Sequence, residues 1–455
     1  EIIKERDGSG LRNHLSFLSD LLYGGFFVVS RKISVTVTVM NKSLLSIVTL
    51  SFLTLSCQSD YEPGIRSYQS VGDWGYMIDS IDITVPDKSV LKGLEAQDFE
   101  LTGNTYGTPY DPSTGEFAQD YTDDDIQVSI DRNRLRVRFR PFRAEGRLGQ
   151  NFRSVPWELK CEKAGLTVTA KDITESSTAI IDDCIKGSFT YAGLTREYML
   201  WLPKDENGQI MKNVPLLVWQ IGGGENNKPL VETIVANRGL TALPEKGVKC
   251  ATLEFALANE NYSYSASLYP DKIKLIDRNN ALQMAFIDSL IAQGIVDGDR
   301  LFCAGASSGG GCTMRFMMQF ADRFKAAIPC CAMDPIVPIH RVQERYDGQF
   351  LDDVVKAFQG DVYRWDGTEM VPSKIDLEAF LSTPLYFVHA EDDQTCKVIS
   401  SYVYFNARKK LGAKDDRLKV YSDSYMKKFG VGGMLNHFSW VTLLDDYSEG
   451  SAMDW

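Results

Sequence analysis

Apolar residues recur at every second position in several stretches of the first half of the chain, and in unbroken runs through the second half. Residues 80–85, 126–130 and 135–139 alternate apolar with polar, the period of strands with one buried face. Residues 157–170 predict two more strands about Gly165, and 102–125 read as a long loop of Gly, Pro, Asp, Thr and Tyr. Short strands separated by turn signals predict a small all-β sandwich over 76–183. From residue 184 the pattern changes. Residues 188–191 and 197–202 predict an opening hairpin. Apolar strands at 216–219, 251–255, 301–304, 326–329, 385–389 and 418–421 then alternate with helices at 272–293, 312–320 and 398–411. That order predicts an α/β domain over 184–455, a mostly parallel sheet flanked by helices. Residues 332–383 exceed an ordinary connection. The amphipathic stretch 350–358 and the aromatic Tyr363-Arg364-Trp365 make this insert a candidate lid, with a peripheral helix as the plainer reading.

The first 56 residues do not fit either pattern. Met40-Asn41-Lys42-Ser43 is a short cationic start, and Leu44 to Leu55 is an apolar run too short to span a bilayer. The run ends in Ser56-Cys57. We therefore expect residues 1–56 to be a leader with Met40 as the true start, and residues 57–75, polar and turn-rich, to be a tether.

Charge and cysteine content narrow the partners. The 455 residues carry a net charge of −12 without a long basic block, which argues against nucleic-acid binding. Arg134, Arg136, Arg138 and Arg140 share one strand face and are expected to be solvated and paired with acids such as Asp123 to Asp125. The 9 Cys show no metal-ligand spacing, and 4 His give little support for zinc, so no cofactor or metal is expected. Cys303, mid-strand, and Cys312, on a helix, sit where buried free thiols are common.

Candidate chemistry centres on Gly305-Ala306-Ser307-Ser308-Gly309. Strand before and helix after form the context of a nucleophile elbow, in which glycines permit a sharp turn and Ser307 stands at its apex. The amide of Ser308 then lies at a helix N-terminus, where an oxyanion is held. A serine nucleophile needs a base, and His437 is the histidine that follows both Ser307 and a strand ending in carboxylates, Glu391-Asp392-Asp393. An acid past that strand end would fix the imidazole tautomer, and the residues alone leave Glu391, Asp392 and Asp393 all open. Gly222-Gly223-Gly224, after a buried strand, suits the second oxyanion donor. A phosphate loop is disfavoured because no Gly-Lys-Ser/Thr follows.

With these residues in view, the chain resembles bacterial α/β-hydrolase esterases of the polyhydroxybutyrate-depolymerase and feruloyl-esterase type, in particular those with an N-terminal immunoglobulin-like domain. The match is carried by Trp219 to Glu225, Asp299 to Gly311, Val388 to Asp393 and His437-Phe438-Ser439-Trp440. The resemblance implies Ser307 as nucleophile, His437 as base, Asp393 as acid by analogy with a His-Gly-x-x-Asp motif, and the amides of Gly223 and Ser308 as oxyanion donors. Ile221-Gly222 stands where the family has His-Gly, and the missing histidine normally helps shape that loop. Ala390 replaces a glycine in the acid motif. The leader resembles a bacterial lipoprotein signal, and Gln58 to Glu62 resembles the acidic export tag of Bacteroidetes surface lipoproteins. Cys57 would then be the lipidated N-terminus of an exported outer-membrane or cell-surface protein, a periplasmic location being the alternative.

The expected activity is that of a serine carboxylic-ester hydrolase working through an acyl-enzyme, acting on acetylated or feruloylated carbohydrate or on small esters. The rivals are a serine peptidase of the prolyl-oligopeptidase type and a catalytically dead surface glycan-binding protein. Oligomeric state is not legible in the sequence.

Overall fold

The computed structural model describes residues 64–455 except 74, 104–109, 112–115, 118–124, 149–150, 155, 226–227, 258–269 and 334–347. The expected leader, the expected Met40 start and Cys57 lie outside the described residues.

The alternating segments form two facing sheets. One has five strands in the order β8-β1-β2-β5-β4, from β1 Ile65–Gly72, β2 Gly75–Thr84, β4 Ile126–Asp131, β5 Arg134–Arg143 and β8 Glu175–Thr178. The other is β7-β6-β3, from β3 Glu100–Gly103, β6 Trp157–Cys161 and β7 Leu166–Thr169. Ile78, Ile81, Ile83, Leu135 and Val137 from the first sheet share one core with Leu101, Trp157, Leu159 and Val168 from the second. Alternation supplies this core, because every second side chain of β2 and β5 points into it. On the other face of the five-stranded sheet, Arg136 forks onto Asp82 at 2.6 and 2.7 Å, and Arg140 reaches Asp125 at 3.2 Å. The tether expected over 57–75 is corrected here. Residues 65–72 are a full strand, paired with β2 and β8. Only Ser67 and Val71 of β1 are buried, so its sequence lacks the apolar alternation that marks the other strands.

The second half folds around an eight-stranded sheet in the order β9-β10-β12-β11-β13-β14-β17-β18. Its strands are β9 Ile185–Tyr191, β10 Leu194–Trp201, β11 Val214–Gln220, β12 Ala251–Phe255, β13 Val296–Ala306, β14 Ala326–Cys330, β17 Tyr386–Ala390 and β18 Arg417–Tyr421. The β9–β10 and β10–β12 pairs are antiparallel and the rest are parallel. Helices α1 Leu230–Asn237, α2 Pro270–Ala292, α3 Ser308–Phe320 and α5 Ile399–Leu411 supply the crossovers. Strands covered on both faces must be apolar throughout, which explains the unbroken runs of β12 and β17, buried at every residue.

The insert is built into this core. Its helix α4, Gly348–Phe358, and hairpin, β15 Asp361–Trp365 with β16 Met370–Lys374, follow β14. Phe350, Val354, Phe358 and Val362 are fully buried in the main cluster. Tyr363 donates its amide to Asp277 at 2.7 Å, and Gln319 donates to the Tyr363 carbonyl at 2.8 Å. Asp277 itself is paired with buried Arg315. The lid reading is therefore corrected for the described part of the insert, whose apolar face completes the core.

The two halves pack as one unit spanning residues 61–455. Val71 and Ile181 join Met199, Leu230, Ile234 and Leu240 in a shared apolar cluster. Beside it, buried Arg238 at the end of α1 pairs with Asp73, from the β1–β2 turn, and with Asp445 and Glu245 of the α/β half.

Candidate active site

The parallel strands end at one edge of the sheet, and the chemistry gathers there. β13 runs directly into Ser307, whose φ of 59° and ψ of −122° are strained for a residue with a side chain. The flanking glycines explain how the turn closes. A Cβ on Gly309 would lie 2.0 Å from the Gln220 carbonyl oxygen, and one on Gly305 would lie 2.7 Å from the same atom. The elbow is thus pressed against the end of β11, and Gly-x-Ser-x-Gly meets a backbone approach that no side chain permits. The Ser307 amide donates to the Cys330 carbonyl at 3.0 Å and to Cys331 Sγ at 3.2 Å. Ser308 opens α3, so its amide is among those at the helix N-terminus that lack an intrahelical partner.

His437 sits on a 3-10 segment, Gly433–Phe438. Its Nε2 is 3.1 Å from Ser307 Oγ, and its Nδ1 is 2.8 Å from Asp393 Oδ2. A carboxylate only accepts, so Nδ1 carries the proton and Nε2 is free to take the serine's. Phe438 and Trp440 stand edge-on to the imidazole at 6.1 and 5.7 Å between ring centres.

The structure brings Asp393 to the histidine. Glu391 and Asp392 are exposed, whereas Asp393 is buried just past β17. Its Oδ1 accepts the amides of Thr395 and Cys396, each at 2.8 Å. Burial alone would raise its pKa, but hydrogen bonds from His389 and His437 outweigh it and hold the carboxyl well below the usual range. The sequence marked His389 only as the first residue of the acid motif, without a structural role. It is fully buried, with Nε2 2.7 Å from the Cys396 carbonyl and 3.4 Å from Asp393, and Nδ1 2.7 Å from Ser401 Oγ. Because a carbonyl only accepts, Nε2 bears the proton and Ser401 donates to Nδ1. His389 therefore braces the acid loop and does not face the serine. His14 and His340 lie outside the described residues.

The glycine loop turns beside the elbow. A Cβ on Gly223 would lie 2.7 Å from Ser308 Oγ, so the two expected oxyanion segments meet. Glu225, another residue the sequence did not mark, holds the loop. Its Oε2 accepts the Gly222 amide at 2.6 Å, while its own amide donates back to the Gly222 carbonyl at 3.2 Å. This reciprocal pair fixes the turn where the related pattern has a histidine. Gln220, at the base of the loop, is buried and bonded to Gln283 at 2.8 Å, which ties the strand end to α2. All eight cysteines among the described residues are buried thiols, none of them in a disulfide.

Comparison with known proteins places this geometry in context. The sequence profile of the prolyl oligopeptidase family matches residues 278–425, a span containing Ser307 and Asp393. No curated protein matches the chain. Among solved structures, a thermostable esterase aligns with a TM-score of 0.54 at 20% identity, covering 84% of this chain and 96% of that one. A ferulic acid esterase aligns at 0.39 and 15% identity over 57% of this chain and 94% of its own. Est1E from Butyrivibrio proteoclasticus aligns at 0.34 and 16% identity, over 56% and 94%. The likeness to the thermostable esterase establishes an α/β-hydrolase fold for the second half.

Proposed function

We propose that this protein is a serine carboxylic-ester hydrolase. The observation that carries the reading is the unbroken chain from Ser307 Oγ through His437 to Asp393, with bonds of 3.1 and 2.8 Å. Ser307 attacks the ester carbonyl as His437 Nε2 takes its proton, and Asp393 stabilises the imidazolium that forms. The amides of Ser308 and Gly223 receive the negative charge on the carbonyl oxygen. His437 returns its proton to the leaving alcohol. Water, with His437 again as base, then resolves the acyl-enzyme. The substrates we infer are acetyl or feruloyl esters of carbohydrate, a class consistent with the esterase names among the fold's relatives. In the same reading the sandwich is immunoglobulin-like, and Cys57 bears a lipid that anchors an exported protein to the outer membrane. Intact mass of membrane-expressed protein tests the anchor, and an unmodified cysteine would remove it.

The match to the prolyl oligopeptidase family supports a second reading, a serine peptidase using the same triad. One experiment separates them. The full chain and its Ser307→Ala variant are assayed on p-nitrophenyl acetate, methyl ferulate and a prolyl p-nitroanilide. Ester turnover lost in the variant supports the hydrolase. Anilide turnover alone would transfer the reading to the peptidase.

A further inference from the structure

The reactive centre is lined with sulfur. Cys331 Sγ accepts the Ser307 amide at 3.2 Å, Cys396 Sγ lies 3.8 Å from Ser307 Oγ, and Met333 Sδ lies 3.6 Å from Ser308 Oγ. Ester hydrolysis by a serine triad uses none of these atoms. One of them closes a second set of donors: a thiol of Cys331, a carboxylate oxygen of Asp393 and an imidazole nitrogen of His437 all lie within 4.8 Å of one another.

We propose that these three side chains form a binding site for a soft divalent cation, Zn²⁺ or Cd²⁺, and that the bound ion switches the hydrolase off. Tetrahedral zinc with bonds of about 2.0 Å to N and O and about 2.3 Å to S needs those donors about 3.3–3.5 Å apart. The Asp393–His437 pair, at 2.8 Å, must open by about half an ångström, and the sulfur must close by little more than an ångström at most. His437 is the member best able to give. Its side chain keeps 15% of its surface exposed, and Gly430, Gly432 and Gly433 before it all adopt positive φ. An ion reaches the buried sulfur and carboxylate past that exposed edge.

Charge favours the ion as well as geometry. On binding, the Cys331 thiol releases its proton to solvent, and thiolate plus carboxylate supply two negative charges. A divalent cation cancels both, leaving a neutral group in a buried site. Thiolate and imidazole select Zn²⁺ and Cd²⁺ over Mg²⁺ and Ca²⁺, which prefer all-oxygen shells. The imidazole nitrogen decides the effect. An ion on Nδ1 displaces the proton held by Asp393, and an ion on Nε2 takes the lone pair that Ser307 needs. Either breaks the proton path.

The inhibitory effect rests on the proposed hydrolase activity, but the binding does not, so the test reads both. Full-length protein, Ser307→Ala, Cys331→Ser and Cys331→Ala are titrated with Co²⁺ and Zn²⁺, by thiolate-to-cobalt charge-transfer absorption and by equilibrium dialysis. Ester turnover is followed against Zn²⁺, Cd²⁺ and Mg²⁺, each variant relative to its own activity without metal. Cys331→Ser keeps an acceptor for the Ser307 amide, and Cys331→Ala is the second variant should that one fail to fold. The expected result is one ion per chain with a thiolate band in the wild type and in Ser307→Ala. Both Cys331 variants lose the band, and binding and half-inhibition by Zn²⁺ weaken at least about tenfold. Absence of stoichiometric binding overturns the site, as does binding undiminished in the Cys331 variants. A wild type that binds the ion but turns over no ester leaves the metal site standing and removes the hydrolase reading.

Discussion

The two arms that reach Ser307 are held in different ways. On the acid side, Asp393 is buried, anchored by two backbone amides, braced by His389 and bonded to His437. On the oxyanion side, Gly222 to Glu225 is partly exposed, and its side-chain brace is the bond from the Gly222 amide to Glu225. The acid arm is buried and held from several sides, and the oxyanion arm is a surface turn closed on itself by Gly222 and Glu225. The difference teaches that burial in this site is concentrated around the bond that orients the imidazole, whereas the glycine loop beside the elbow stays partly open to solvent.

The largest expected effect breaks the acid arm. Asp393→Asn should lower kcat by about 10³–10⁴, because the amide no longer fixes the imidazole tautomer. The same variant carries a stability signature. The folded-state pKa of Asp393 is depressed, so its contribution is present above the unfolded value of about 3.9 and is lost as pH falls below it. The stability gap between wild type and Asp393→Asn, measured by urea unfolding, should therefore narrow below about pH 4. Next comes the contact between the elbow and β11. Gly309→Ala places a carbon 2.0 Å from the Gln220 carbonyl and must push the elbow away from β11. Activity should fall by about 10², the scale of an ångström's misplacement. Glu225→Ala, which frees the glycine loop, should lower kcat by roughly tenfold with KM little changed. Glu225→Gln, still an acceptor, should recover most of the loss, and equal losses in both would show that the bond does not shape the loop. The smallest effect belongs to Asp392→Asn, within about twofold of wild type, because that side chain faces solvent. Steady-state kinetics on one aryl ester checks all four.

Much of this arrangement was legible before any coordinates. Gly305, Ser307 and Gly309 announced the elbow because the close approach of Gln220 leaves no room for other residues. The unbroken apolar strands announced the parallel sheet because both faces are covered. Other features lay below what pattern resolves. Glu391, Asp392 and Asp393 are adjacent and chemically alike, so the residues alone could not say which turns inward. Glu225 holds a glycine loop through a bond that depends on backbone torsions, and glycine torsions leave no trace in composition. Strand β1 has only two buried residues, so it read as a tether. The helix at 348–358 was recognisable by its period, but periodicity gives a face without saying what the face meets. Cys331 joins Asp393 and His437 from a distant segment, which no spacing rule could anticipate.

The Arg238 cluster has a consequence for how this protein can change over evolutionary time. A guanidinium in the α/β half is neutralised in part by Asp73, contributed by the sandwich. A recombination event that exchanged the sandwich for an unrelated module would take from that arginine one of its three carboxylates, leaving it Asp445 and Glu245, and would uncover the apolar face of α1 beneath it. The two halves are therefore bound to a common inheritance, and a lineage that shuffles the front module must first rebuild this seam.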